Sequence, residues 1–181
     1  MRIRADKIKQ LAETRKVTRD QLAQALERDG LKGDAAKSAL GNWLKGRNHP
    51  RARKTDIDRL AGALGVASKD IAKFTSEVRF HRGSPRKADL LVDLVRGKPV
   101  DEALNLLTFT TKRAAVNVKK CLAAAIADAE QNDADVTNLV VSEARIDDAP
   151  RIKRFNQKDR GRAHQIIKRL THITVSVQER A

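Results

Sequence analysis

The sequence predicts an α+β fold, and three observations predict it. Apolar residues recur at helical spacing through most of the chain, a period-two alternation replaces that spacing only after residue 138, and the two alternating stretches are separated by a run too charged to bury. Residues 1–75 read as short helices throughout, so the 181-residue chain is expected to divide near Thr75 to Val78. An all-α part, 1–75, precedes a part with three helices and an antiparallel sheet, 76–181, which carries a long β-hairpin at about 139–178.

Each element follows from its residues. Ile8 and Leu11 mark the face of a first helix. Thr18 can cap a second that carries Leu22, Ala23 and Leu26 and is ended by Asp29-Gly30. A third helix starts at Asp34 and runs through Leu40 to Leu44, where Gly46 stops it, with Pro50 beyond. A fourth, Asp56 to Leu64, turns Ile57, Leu60, Ala61 and Leu64 inward, and Ser68 to Phe74 makes a short fifth.

In the second part Ser84-Pro85 supplies a capping hydroxyl and a proline at the first helical position, with Ala88, Leu91, Leu94 and Val95 following at helix spacing until Gly97. Pro99 and Val100 open the next helix, which carries Ala103, Leu104 and Leu107. Thr111 starts a third, with Ala115, Val118, Leu122, Ile126 and Ala129 inward. This last helix would hold Lys112 and Arg113 in its first turn and Asp128 and Glu130 near its last. That is the reverse of what the helix dipole favours, by about 0.3–1 kcal/mol per charge. Phosphates could balance the basic end, with Lys119 and Lys120 extending the patch; screened surface charge tolerating the dipole is the other reading.

From Leu139 the period becomes two. Val140, Ser142, Ala144 and Ile146 are expected on one face of a strand, and Ile173, Val175 and Val177 alternate with His172, Thr174, Ser176 and Gln178 in another. The connection between them, DDAPRIKRFNQKDRGRAHQIIKRL, is far longer than the roughly 2–5 residues a hairpin turn needs. Within 151–162 it holds six cations, Arg151, Lys153, Arg154, Lys158, Arg160 and Arg162, against Asp159, and too few apolar groups for a core of its own. Threaded into folded RNA, such an arm would neutralise phosphates and release counterions, with arginine forks gripping phosphates in pairs. Gly161 would permit close backbone approach.

Charge points the same way. Lys and Arg number 38 against 23 Asp and Glu, a net +15 of which +9 lies up to Thr75 and +6 beyond. A balance of this kind implies an acidic polymer as partner. An anionic membrane is the other candidate, but no apolar run approaches the ~18 residues of a spanning helix, and the opening MRIRADKIKQ has no apolar secretory core, so a cytoplasmic place is expected. With Trp43, four Phe and no Tyr, recognition through phosphates and shape is expected rather than a base-stacking platform.

Catalysis has no foothold. His49, His81, His164 and His172 show neither metal-ligand spacing nor a paired cysteine, there is no glycine-rich phosphate loop, and Cys121 reads as a small buried thiol. Neither an enzyme nor a cofactor nor a metal is expected.

Two resemblances sharpen this reading. Gly161-Arg162-Ala163, eight residues, then His172-Ile-Thr-Val-Ser-Val177 resembles the signature of the bacterial large-subunit ribosomal protein L-twenty-two family. The run SPRKADLLVDLVRGKPVDEALNLLTFTTKRAAVNVKK is similar to that family's helical portion, so the likeness covers about Val78 to Arg180. It implies large-subunit rRNA and neighbouring ribosomal proteins as partners, a role in subunit assembly, and a hairpin reaching the wall of the nascent-peptide exit tunnel. Pro150, Arg151, Ile152, Lys153 and Arg154 match the tip, within a segment that extends to Arg160; Gln157, Lys158 and Asp159 depart from the family's usual residues before the GRA triplet. The implied rRNA contacts are Arg82, Arg86, Lys87, Lys112, Arg113, Lys119, Lys120, Arg151, Lys153, Arg154, Lys158, Arg160, Arg162, Lys168 and Arg169, with His172 structural.

The first part, with ALGNWLKGRNHP at its centre and RLAGALGV after it, resembles the phage-repressor type (Cro/C1) of helix-turn-helix domain over about 67 residues. In that family the third helix enters the DNA major groove. The resemblance implies that Lys37, Ser38, Gly41 and Asn42 face base edges and that Lys45 and Arg47 lie near phosphate. Two features depart from the pattern: RDGLKGD lengthens the turn before the third helix by about seven residues, and Gly41 has no reading side chain. A packing or RNA-binding appendage is the alternative to DNA binding, and a transcription regulator is the alternative to a ribosomal protein for the whole chain.

Overall fold

The computed structural model describes residues 1–28 and 30–180. The chain divides into two compact units, one of Met1–Phe74 with Asp128–Asp135, the other of Thr75–Ala127 with Val136–Arg180.

In the first unit, α1 (Ala5–Thr14) buries Ile8, and α2 (Arg19–Ala25) is capped as its sequence predicts. The Gln21 backbone N–H donates to Thr18 Oγ1 at 3.4 Å while Thr18 N–H donates to Gln21 Oε1 at 2.9 Å. Asp29, expected with Gly30 to end this helix, lies outside the described residues; α2 itself stops at Ala25. Next, α3 (Asp34–Leu44) buries Ala36, Ala39, Leu40, Trp43 and Leu44, and Trp43 Nε1 donates to Pro50 O at 2.7 Å, which satisfies its one polar atom. Behind it, α4 (Lys54–Leu64) turns Ile57, Leu60, Ala61 and Leu64 inward and ends on Gly65 at φ 61°. The Arg15 guanidinium donates to Leu64 O and Gly65 O, tying the end of α1 to the end of α4.

The fifth helix is shorter than expected: α5 is Ser68–Ile71, and Ala72–Arg82 is a strand, β2. The segment AKFTSEVRFHR carries period two in plain sight, with Ala72 and Phe74 buried and Lys73 and Thr75 half-buried. Arg2–Ile3 form β1 and pair antiparallel with Lys73 and Ala72, so residues 1–75 are not all-α and strand alternation does not wait for residue 138.

In the second unit, α6 (Pro85–Val95) has proline at its start and buries Ala88, Leu91, Val92 and Val95. Leu94, expected inward, is exposed. Then α7 (Val100–Phe109) buries Val100, Ala103 and Leu107, with Leu104 half-buried. The last helix, α8 (Ala114–Glu130), begins three residues later than expected, leaving Lys112 and Arg113 ahead of it. The cause is local: Thr110 is extended, its hydroxyl donates back to Leu106 O at 2.6 Å, and adjacent β-branched threonines resist helix. Those two cations therefore stand just ahead of the first helical turn, while Asp128 and Glu130 remain in the last.

A short 3-10 turn, Val136–Asn138, leads into β3 (Leu139–Gln157), which pairs antiparallel with β4 (Ala163–Glu179). The sheet order is β1-β2-β4-β3, so β4 is an interior strand. Of its expected polar face, Thr174 and Ser176 are buried as well, while His172 and Gln178 are half-buried. Thr171 is shielded too, along with Ile173, Val175 and Val177, and two hydroxyls are bonded: Ser176 Oγ lies 2.9 Å from Thr75 Oγ1, and Thr171 Oγ1 donates to His81 O at 3.4 Å. In β3 the expected face of Val140, Ser142, Ala144 and Ile146 is broken. A register shift between Val141 and Glu143 puts Leu139 and Val141 inward before it and Ala144 inward after it. Behind the sheet, the Cys121 thiol of α8 reaches Ser76 O at 3.3 Å. At the other side Gly97 N–H donates to Val141 O, and Val141 N–H to Lys98 O, each at 2.9 Å, covering part of the outer edge of β3.

Candidate nucleic-acid interface

The charged run between the two alternating stretches is not a loop. The strands continue through it, so that Ile152 pairs with Lys168, Arg154 with Ile166 and Gln157 with Ala163, and only 158–162 turn the chain. Arg162 N–H donates to Asp159 O at 3.2 Å and Lys158 N–H to Arg162 O at 2.7 Å. Arg160 (φ 55°) and Gly161 (φ 71°) are both left-handed, the backbone sense that suits a twisted two-stranded ribbon. Gly161 therefore serves the turn itself. The residues matched to a hairpin tip, Pro150, Arg151, Ile152, Lys153 and Arg154, stand in the β3 arm ahead of the turn, beside a register shift between Ala149 and Ile152.

Paired residues share a face, which sorts the arm. One face carries Ile152, Arg154, Asn156, His164, Ile166 and Lys168, and the other Lys153, Phe155, Gln157, Gln165 and Ile167. Both mix cations with apolar groups, and neither packs on a core: Phe155 is 76% and Ile167 46% exposed. A two-stranded ribbon of this kind is marginal alone in water.

Its electrostatics are one-sided. From 150 to 169 the arm holds Arg151, Lys153, Arg154, Lys158, Arg160, Arg162, Lys168 and Arg169 against Asp159. All of these cations are exposed, and among the described residues none lies in an ion pair. Charge pairing stops at the foot of the arm, where Arg145 sits 3.3 Å from Asp147 and 3.6 Å from Glu143.

On the body of the same unit, Arg82 ends β2, and Arg86 and Lys87 occupy the first turn of α6, all exposed. Lys112, Arg113 and Lys120 are exposed too. Lys119 is half-buried and committed, its Nζ donating to Thr108 Oγ1 at 2.9 Å. Burial, with the Arg113 charge second, holds the His81 imidazole below its ordinary range. Sequence reasoning missed Phe80, which is 56% exposed, has φ 55°, and lies edge-on to His172. The period-two pattern of β2 was the signal that could have found it.

In the first unit Lys37, Ser38, Gly41, Asn42 and Lys45 fall on the side of α3 away from its buried face, and Arg47 is exposed just beyond. Lys37 is tied to Asp20 of α2 at 2.8 Å, and Lys37, Gly41 and Lys45 line a shallow cleft with Lys9 and Arg19. The link from α2 to α3 runs from 26 to 33, against the about 3–4 residues of a helix-turn-helix.

An α+β unit that carries a long β-ribbon of exposed cations is the arrangement these elements build. The family model for ribosomal protein L22p/L17e matches residues 76–178, more than half of the chain, and the chain belongs to that family. Membership carries a structural role in the large ribosomal subunit, assembled with rRNA and other ribosomal proteins.

Proposed function

We propose that the protein binds large-subunit rRNA directly, assists assembly of the subunit in the cytoplasm, and lines the nascent-peptide exit tunnel with its hairpin. One observation carries the reading: a ribbon with eight cations, one carboxylate and no core of its own, on a domain of a ribosomal family. Ordering such a ribbon needs a dense array of phosphates, and folded rRNA supplies one. The contacts proposed are Arg82, Arg86, Lys87, Lys112, Arg113, Lys119 and Lys120 on the body and Arg151, Lys153, Arg154, Lys158, Arg160, Arg162, Lys168 and Arg169 on the arm, with Pro150 to Arg154 in the tunnel.

Residues 1–75 are read as an extension to the ribosomal domain, 76–181, with a likeness to phage-repressor domains but a contact to RNA or protein on the outside of the subunit. The long link before α3 and the engagement of Lys37 by Asp20 speak for this over DNA reading. Tagged protein sedimented through a high-salt sucrose gradient tests the main reading: it should travel with the large subunit, and recovery at the top of the gradient would overturn it. A sequence-specific DNA footprint by the full chain would overturn the reading of the extension.

A further inference from the structure

Four non-glycine residues among those described have positive φ: Lys16, Phe80, Asp133 and Arg160. Lys16 follows the end of α1, Asp133 follows the end of α8, and Arg160 is in the hairpin turn, all places where a left-handed residue closes an element. Phe80 alone sits within a strand, at φ 55°. A bulky aromatic side chain is poorly suited to that region, and an outlier of this kind persists only where its surroundings hold it.

The surroundings do hold it, and they aim it outward. The Phe80 N–H donates to His172 Nδ1 at 3.2 Å, and the two rings meet edge to face, centroids 4.8 Å apart at 73°. His172 is itself fixed in β4 opposite Asp147, at the foot of the hairpin. The ring of the next residue, His81, lies against Gly83, where a Cβ would come within 2.9 Å of its Nε2. Yet Phe80 remains more than half exposed, with the exposed cation Arg82 two residues on. A held, exposed aromatic side chain beside a cation suits a flat π-system joined to phosphate.

We propose that Phe80 is a base-stacking platform, taking the face of an unpaired rRNA nucleobase at the foot of the hairpin while Arg82 holds the phosphate beside it. The proposal rests on the rRNA-binding reading and adds a contact that is uncharged and base-dependent.

The two are separated by titrating the full chain with transcribed large-subunit rRNA and, in parallel, with heparin, a polyanion without bases, over a series of salt concentrations. Phe80→Leu should weaken rRNA binding roughly tenfold at every salt concentration, leave the salt slope unchanged and leave heparin binding intact. Phe80→Trp should restore rRNA affinity. Phe80→Gly, which suits the positive φ, should melt no lower than the natural protein yet bind rRNA as weakly as the leucine variant. Leucine and natural proteins binding rRNA equally, a tryptophan variant that fails to restore affinity, or a parallel loss on heparin would each overturn the platform alone. Natural protein that does not bind rRNA at all would overturn both readings.

Discussion

Asp56 has no solvent exposure and is held by an ion pair at Oδ1 and two hydrogen bonds at Oδ2. Arg28 Nε lies 2.9 Å from Oδ1 and Arg28 Nη2 3.4 Å from Oδ2, while the Arg53 N–H donates to Oδ2 at 2.9 Å and closes the start of α4. Removing one side of a buried pair strands the other. Asp56→Ala should therefore cost the first unit about 3 kcal/mol, seen as a lower denaturation midpoint by Trp43 fluorescence. His81 gives a second prediction at this scale. Its imidazole titrates below the ordinary 6.5, chiefly through burial. The unfolded chain then takes up the proton first as pH falls, so the His81 contribution is intact above 6.5 and is lost as pH drops toward the folded value. NMR should find the midpoint below 6.5, and His81→Asn should flatten the decline in stability on acidification.

At the scale of elements, the helices were legible where they have one buried face and a clear stop: α3, α4, α6 and α7 lie within two residues of where Gly, Pro and the 3.6 period put them. The errors in β3 and β4 share a cause, which is that these strands do not have one buried and one exposed face. As an interior strand, β4 conceals Thr171, Thr174 and Ser176, and β3 changes face at a bulge, so no single alternation describes either, whereas β2 does alternate and its start was read as helix. The cations of the arm were legible from composition alone, but that they stand on paired strands was not, because a ribbon without a core leaves no burial pattern. Its turn can be tested directly. Gly161→Val should loosen the hairpin end by about 1 kcal/mol through its positive φ, with faster amide exchange at 154–166 and an unchanged melting of the body. Exchanging Arg151, Lys153 and Arg154 together for alanine should lower the salt slope of rRNA binding by about two to three and spare the body's stability.

For the whole molecule, the net charge of +15 makes affinity for any polyanion steeply salt-dependent, and the slope should report how many of the fifteen arm and body cations engage at once. The division of labour was legible in part. The residues that carry the family likeness lie in the second unit, but the first unit is completed by Asp128–Asp135, a segment no local pattern assigns to it. The ribbon has a further consequence before any RNA is bound. Each arm strand presents an unpaired edge, the kind that recruits a second copy into an intermolecular sheet, and Phe155 and Ile167 add exposed apolar surface to it. The eight arm cations repel those of a second copy, and at about 1 M salt that repulsion reaches only ~3 Å. Concentrated salt thus weakens the protein's guard against aggregation, and purified stocks should stay clear longest in dilute salt.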